Sequence, residues 1–308
     1  MKKYKLNIVV LMVVLSLVLM CIPSEYRQKI WNKLIIPYKL VYVADMKDVI
    51  SEYGDGMRVF YNNGIAHGRE AYIAHGGGVG EFCYKNCLEG VLDSINKGFK
   101  YIEIDFLQTV DGHLIGGHSW QEFAHLVGKK IDEVQAMPLS EIKKLKIEGK
   151  YSVLTASDVN SIMEANREWI LVTDKTNNFK LLLHEIPFTD RMLVETLGGM
   201  YDYKLAIEAG VTYPIFTAGN IEIVEKYEFP IVILDAKLLN DRNNVDRIKK
   251  LHNKGITILV WNASVCDRPE FITEHLGNGV SLIYTDTWFP NGNSPLKSLP
   301  SHKSYGRQ

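Results

Sequence analysis

From residue 71 onward the chain alternates between short apolar runs and longer mixed stretches. The short runs, rich in Val, Ile, Leu and aromatic residues, read as strands at 71–75, 101–106, 114–117, 169–174, 191–195, 212–216, 230–235, 257–261 and 282–284. The intervening stretches read as helices at 87–97, 139–145, 156–166, 179–185, 201–209, 220–227, 244–254 and 267–276. The last of these carries start signals, with Asp267 as a cap and Pro269 in the first turn. Asp158 falls inside its helix and has no clear part in starting it. Strand followed by helix, repeated across 71–290, predicts an α/β fold, and eight such units close a TIM (β/α)8 barrel. Nine strand segments are one too many, so one is expected to lie off the barrel. An open doubly wound sheet is the alternative, and it calls for a glycine-rich dinucleotide loop after the first strand. Residues 75–80, His-Gly-Gly-Gly-Val-Gly, are glycine-rich but open on a histidine, with no helix at once behind them.

The first part of the chain has a different pattern. Residues 1–5 are basic, and 6–22 are apolar apart from Asn7 and Ser16. That run is at the short end for a membrane span, and no small-residue cleavage site follows it. An uncleaved N-terminal transmembrane helix is expected, with the lysines in the cytoplasm and the rest of the chain outside it. A removed signal peptide and a buried helix are the alternatives. The resulting plan is a cytoplasmic N-terminus at 1–5, an anchor at 6–22, a juxtamembrane connector at 23–70, the barrel at 71–290 and a flexible tail at 291–308.

Composition narrows the classes of function. With 46% hydrophobic and 23% charged residues, the chain is not of the disordered type. A net charge of -1 gives no basic excess, so nucleic acid is not expected as a partner. Cys21, Cys83, Cys87 and Cys266 contain no Cys-x-x-Cys pair and do not make a zinc site. Cys83 and Cys87 form either a local disulfide, if the domain is extracytoplasmic, or two small buried thiols.

The chemistry concentrates at the ends of the first four strand segments. His75 ends the first, Asp105 lies near the end of the second, His118 ends the third, and Asp174 ends the fourth with Lys175 next to it. Residues two apart on a strand share a face, so Glu103 and Asp105 project side by side. Their neighbours Tyr101, Ile102, Ile104 and Phe106 make this strand look buried on both faces. Two buried carboxylates repel unless a proton or a cation intervenes. A hard divalent cation, Ca2+ or Mg2+, answers that need, and so does Lys175 without a metal. Two imidazoles add proton transfer near neutral pH. Together these groups suit metal-assisted phosphodiester cleavage. A turn at Asp111-Gly112 would set Asp105 opposite His118 in a hairpin, and a looped return would bring His118 to the same rim.

His75, Asn86, Glu103-x-Asp105, Thr109-x-Asp111-Gly112, His118, Asp174-Lys175, Trp261-Asn262 and Thr285-Asp286 resemble the motifs of the glycerophosphodiester phosphodiesterase family, among the phospholipase C-like TIM-barrel phosphodiesterases. The resemblance runs over 71–290 and is most specific in its front half. It implies that Glu103, Asp105 and Asp174 hold the divalent cation and that His75 and His118 are general base and acid. It further implies that Lys175, Lys85 and Trp261 meet the substrate, and that a neighbouring hydroxyl of the substrate attacks to give a cyclic phosphate opened by water. The chain departs from the family at Gly76, where an arginine is usual, at Lys85 in place of a glutamate, and at Ser119 in place of an aspartate. Asp174 replaces a glutamate and is one methylene shorter. The expected substrate is a glycerophosphodiester or an envelope phosphodiester, lipid or glycopolymer. The alternatives are a catalytically weak barrel that binds a phosphorylated lipid or glycan, and a metal-dependent hydrolase of the amidohydrolase type, which wants a His-x-His absent from 71–80.

Overall fold

The computed structural model describes Ile50 and residues 68–292. The barrel strands are β1 (Tyr72–Ala74) and β2 (Tyr101–Gln108), then, beyond β3 (Leu114–Gly116), β4 (Lys146–Ile147) and β5 (Tyr151–Ser152), β6 (Ile170–Asp174), β7 (Met192–Thr196), β8 (Tyr213–Thr217), β9 (Ile231–Asp235), β10 (Thr257–Trp261) and β11 (Leu282–Thr285). All barrel neighbours pair in parallel, and β1 pairs with both β2 and β11, which closes the sheet. Closure makes this an eight-stranded TIM barrel and rules out the open doubly wound sheet.

Alternation along each strand fills the barrel and aims its rim. Ile73, Tyr101, Val172, Leu193, Ile233, Leu259 and Tyr284 belong to one buried cluster inside it. Counting on by two along each strand from these residues reaches His75, Glu103 and Asp105, Asp174, Glu195, Asp235, Trp261 and Asp286 at the C-terminal ends. The core pattern thus gathers polar groups at one mouth of the barrel.

The surplus strand is β3. It pairs antiparallel with β2, Phe106 opposite Gly116, so the hairpin form of the connection is the one present. Gly112 closes the turn with φ +85°, its N–H donating to the Thr109 carbonyl at 3.0 Å. Thr109 Oγ1 donates to Asp111 Oδ1 at 2.6 Å, and the Asp111 carboxylate accepts from Leu139 N at 3.0 Å, which explains the Thr-x-Asp-Gly sequence as turn chemistry.

The helices are α1 (Leu88–Asn96), α2 (Trp120–Leu126), α3 (Ile131–Gln135), α4 (Leu139–Ile142), α5 (Ala156–Ala165), α6 (Phe179–Glu185), α7 (Met200–Ala209), α8 (Ile221–Tyr227), α9 (Arg242–Asn253), α10 (Ala263–Cys266) and α11 (Pro269–His275). Asp158 proves to be part of a capping box with Thr155 at the start of α5. Between β3 and α5 the chain builds a small satellite from α2, α3, α4 and the β4–β5 hairpin, around Phe123, Val134, Ile142 and Ile147. Of this satellite only α4 was expected, and it stops at Ile142 rather than 145. The helix expected at 267–276 is α11, which begins at Pro269; the separate α10 ends at Cys266, and Asp267 lies between the two without capping α11. Its carboxylate is drawn instead to Thr285 and Asp286.

Cys83 and Cys87 are free thiols, and Cys87 is buried, its Sγ accepting from Gly90 N at 3.4 Å at the start of α1. The expected membrane helix at 6–22, residues 1–5, the connector other than Ile50 and 68–70, and the tail beyond 292 lie outside the described residues. No helix among the described residues is long and apolar enough to cross a membrane.

Candidate active site

β2 and β6 are neighbours, with Asp105 opposite Asp174 in register. This brings Glu103, Asp105 and Asp174 together: one ligand oxygen from each lies within 4.8 Å of the others, and all three residues are buried. Glu103 Oε2 accepts from Gly76 N at 2.7 Å. Asn86 clamps Asp105 twice, its Nδ2 donating to Oδ2 at 2.8 Å and its Oδ1 accepting from Asp105 N at 3.0 Å. Lys175 pairs with Asp174 and sits 3.4 Å from Asp105 Oδ1. It does so from a left-handed backbone, φ +63°, a strained position for a side chain of its kind.

The electrostatics are those of a crowded acid group. Burial, then Asp105 and Asp174, pushes the Glu103 carboxyl well above the usual range. Burial and Asp105 do the same to Asp174. Burial also opposes ionisation of Asp105, but Lys175, the Asp174 contact, His118 and Asn86 outweigh it and hold Asp105 low. Burial works against the charge on Lys175, yet Asp174 and Asp105 keep it above an ordinary lysine. Asp174 Oδ1 is buried with no hydrogen-bond partner, so three acids face one ammonium with an oxygen left over. An all-oxygen donor set with an orphaned carboxylate oxygen fits a hard divalent cation. Glu195 adds a fourth buried acid at the end of β7; burial raises it, and the Tyr284 hydroxyl donates to it.

Two imidazoles flank this group, each oriented through Nδ1. His75 Nδ1 meets Asp286 Oδ1 at 3.1 Å, and its ring lies 4.2 Å from that of Tyr84 and edge-on to Tyr284 at 5.2 Å. His118 follows Gly117, whose N–H donates to the Asp105 carbonyl at 2.9 Å. His118 Nδ1 meets Glu122 Oε2 at 3.0 Å, and this contact raises its pKa against the opposing effect of burial, with Asp105 adding to the rise. Ser119, where the family has an aspartate, caps α2 by accepting from Glu122 N at 3.2 Å. The cap starts the helix that presents Glu122 to His118. With Nδ1 engaged in both rings, Nε2 is the atom that faces proton transfer.

Lys85 and Trp261 are placed differently. Lys85 is buried and reaches the Glu81 carbonyl and, at 3.1 Å, Glu148 Oε1. It joins the first loop to the β4–β5 hairpin, and its contacts are not with the three acids. Trp261 is half-buried at the end of β10 and packs on the barrel core. Asn262 beside it, left-handed at φ +86°, donates to Asp235 Oδ1 at 3.1 Å. Sequence reasoning assigned no role to Asn86, Glu122, Glu195, Tyr284 or Asp286. Asn86 and Asp286 were visible as motif positions, and Glu122 as the acid three residues after a capping serine. Glu195 carried the parity signal of Leu193 before it. Gly76 has φ +57°, and a Cβ on it would lie 2.6 Å from Tyr84 Cα, so no arginine fits this backbone.

No family model matches the sequence, and no curated protein matches it. Solved structures match the fold. A glycerophosphodiester phosphodiesterase from Thermotoga maritima is 20% identical, with a TM-score of 0.58 over 72% of this chain and 96% of that one. A glycerophosphoryl diester phosphodiesterase from Parabacteroides distasonis is 18% identical, with a TM-score of 0.57 over 75% of this chain and 87% of its own. A phosphodiesterase from Oleispira antarctica, solved in complex with the product sn-glycerol-3-phosphate, is 15% identical, with a TM-score of 0.57 over 74% and 95%. The chain has the fold of the glycerophosphodiester phosphodiesterases, and the resemblance read from its motifs holds at the level of that fold.

Proposed function

We propose that this chain, folded like those enzymes, is a metal-dependent phosphodiester hydrolase. The observation that carries the reading is the buried group Glu103, Asp105 and Asp174, with its orphaned oxygen, between two histidines each oriented by a carboxylate. Glu103, Asp105 and Asp174 would hold Ca2+ or Mg2+. When bound, such an ion supplies positive charge to the phosphoryl oxygens.

The residues of the chain do the rest. Asp286 takes the His75 Nδ1 proton as a hydrogen bond, which leaves the Nε2 lone pair for the base. It removes the proton of a neighbouring substrate hydroxyl as that oxygen bonds to phosphorus. Glu122 favours the protonated ring of His118, which makes His118 the acid. Its Nε2 proton goes to the leaving alcohol as the old P–O bond breaks. Water then opens the cyclic phosphate with the two roles reversed. Lys175, held positive at the edge of the acids, offsets charge on the phosphoryl group. Trp261 borders the mouth where the alcohol would lie.

The substrate of this reading is a glycerophosphodiester or an envelope phosphodiester, lipid or glycopolymer. The apolar run 6–22 after a basic start supports a membrane anchor with the barrel outside the cytoplasm. Protease added to intact cells is expected to digest the barrel, and protection of the barrel until lysis would reject that placement. The activity itself is tested on bis(p-nitrophenyl) phosphate and glycerophosphocholine with Ca2+, Mg2+ or EDTA. Turnover is expected to need the metal. Glu103→Gln is expected to abolish it, and His118→Ala to lower kcat by about 10²–10⁴-fold. The second reading, a barrel that binds a phosphorylated lipid or glycan without turning it over, draws on the absence of room for an arginine at Gly76. Saturable binding with no metal-dependent turnover favours it.

A further inference from the structure

Where β9, β10 and β11 end, a second set of carboxylates gathers: Asp235, Asp267 and Asp286. Asp235 is tied to Lys237 N and Asn262, and Asp286 to His75. Asp267 has no part in the chemistry described so far, and it is not the cap of the helix that follows it. Both of its oxygens are committed to the segment after β11. Oδ1 accepts from Thr285 Oγ1 at 2.6 Å, and Oδ2 accepts from Asp286 N at 3.0 Å. Its main-chain carbonyl accepts from the Trp288 indole at 2.9 Å. Thr285 Oγ1, oriented by Asp267, in turn accepts from Trp288 N at 2.8 Å and Thr287 N at 3.2 Å. One side chain therefore organises four consecutive residues.

Asp286 is then fixed at two main-chain points. Its N–H is held by Asp267, and its carbonyl accepts from Gly80 N at 2.7 Å. Gly80 lies on the loop that leaves His75. Only the side-chain torsions of Asp286 remain, and its Oδ1 rests 3.1 Å from His75 Nδ1. Burial, opposed by the Thr285 hydrogen bond and aided by the charge of Asp286, pushes the Asp267 carboxyl up to about 6. Both of its oxygens act as acceptors all the same.

We propose that Asp267 is a positioning residue for His75, acting through the main chain of Asp286. The proposal rests on the reading of His75 as a proton-transfer group. Asp267 touches neither the acid group nor the expected substrate, so its loss should spare binding and slow the chemical step. A misplacement of about 1 Å at a reacting group costs on the order of 10²-fold in rate. Asparagine offers one oxygen acceptor where the carboxylate offers two, and its amide turns a donor toward a donor. Asp267→Asn therefore breaks one of the two contacts without emptying the site.

The test is steady-state kinetics on bis(p-nitrophenyl) phosphate with the full chain, for wild type, Asp267→Asn, His75→Ala and the double variant. Val265→Ala, at a buried position of α10 two residues before Asp267, serves as a control that loosens packing there and leaves both carboxylate contacts of Asp267 in place. Asp267→Asn is expected to lower kcat by about 10- to 100-fold with KM changed by less than about two-fold. In the His75→Ala background it is expected to cost nothing further, because the two residues act as one unit. The 15N shift of His75 Nδ1, read without substrate, is expected to move in Asp267→Asn and to stay in Val265→Ala. A wild-type kcat in Asp267→Asn, an equal loss in both backgrounds, or an unmoved Nδ1 signal would each overturn the proposal. An inactive wild type would instead overturn the phosphodiesterase reading, and the Nδ1 signal would still decide whether Asp267 sets the ring.

Discussion

Gly76 shows how one residue can set the terms of a site. Its N–H is given to Glu103, its carbonyl accepts from Asn86 N at 2.8 Å, and the Tyr84 backbone occupies the space a side chain would need. The position therefore serves the acid group through the main chain, and Lys175 is left as the one ammonium in contact with those acids among the described residues. Glu122 is a second such residue. It holds His118 toward its protonated form, so activity that needs a protonated His118 persists to higher pH than an ordinary imidazole would allow. In Glu122→Gln the pKa of His118 falls, and the alkaline limb of kcat/KM is expected to move to lower pH. The cap of α2 survives, because Ser119 bonds to the main chain of residue 122. A pH–rate profile of the two proteins checks this, and an unmoved alkaline limb would remove His118 from the acid role.

At the scale of elements, what was legible followed local pattern. All nine strand segments were visible because each is a β-branched or aromatic run bounded by polar residues. β10 was found at both ends, since Gly255 before it and Asn262 after it are both sharp breaks. The hairpin was foreseen as one of two options from Asp111-Gly112 alone. The satellite was largely invisible apart from α4, because α3 and two-residue strands are too short for a periodic signal. Asp267 was misread for a different reason. An aspartate two residues before a proline is a start signal that fits a helix, and the partners that claim the carboxylate lie 18 and 19 residues away. Lys85 likewise looked like a phosphate ligand from its motif position, and only the fold brings Glu148 up to it. Local order is written in neighbours along the chain, while the pairings that set these side chains are written between elements.

For the whole molecule the buried acid group is a liability that a bound cation would relieve. Glu103 and Asp174 have folded-state pKa values raised above their unfolded values, chiefly by burial and secondly by Asp105. Raised carboxylates favour the protonated form in the folded state, so without metal stability is expected to fall as pH rises above the ordinary carboxylate range. Ca2+ or Mg2+ should reverse this. An ion at 100 times its Kd adds about 2.7 kcal/mol to stability through mass action. Thermal melting at neutral pH is expected to rise with the metal in wild type. Glu103→Gln is expected to melt higher than wild type without metal and to lose the response. Equal metal shifts in both proteins would mean that the ion binds elsewhere.

The barrel closes where β1 meets both β2 and β11, and the candidate site straddles that seam. His75 and Asp286, in direct contact, are 211 residues apart in sequence. On a ribosome, the acids of β2 and β6 are made long before the aspartate that orients the first histidine. A half-made chain holds the carboxylates but not the aligned histidine. The aligned His75–Asp286 pair therefore arrives late in synthesis, with the last strand of the barrel, after the acids it faces are already made.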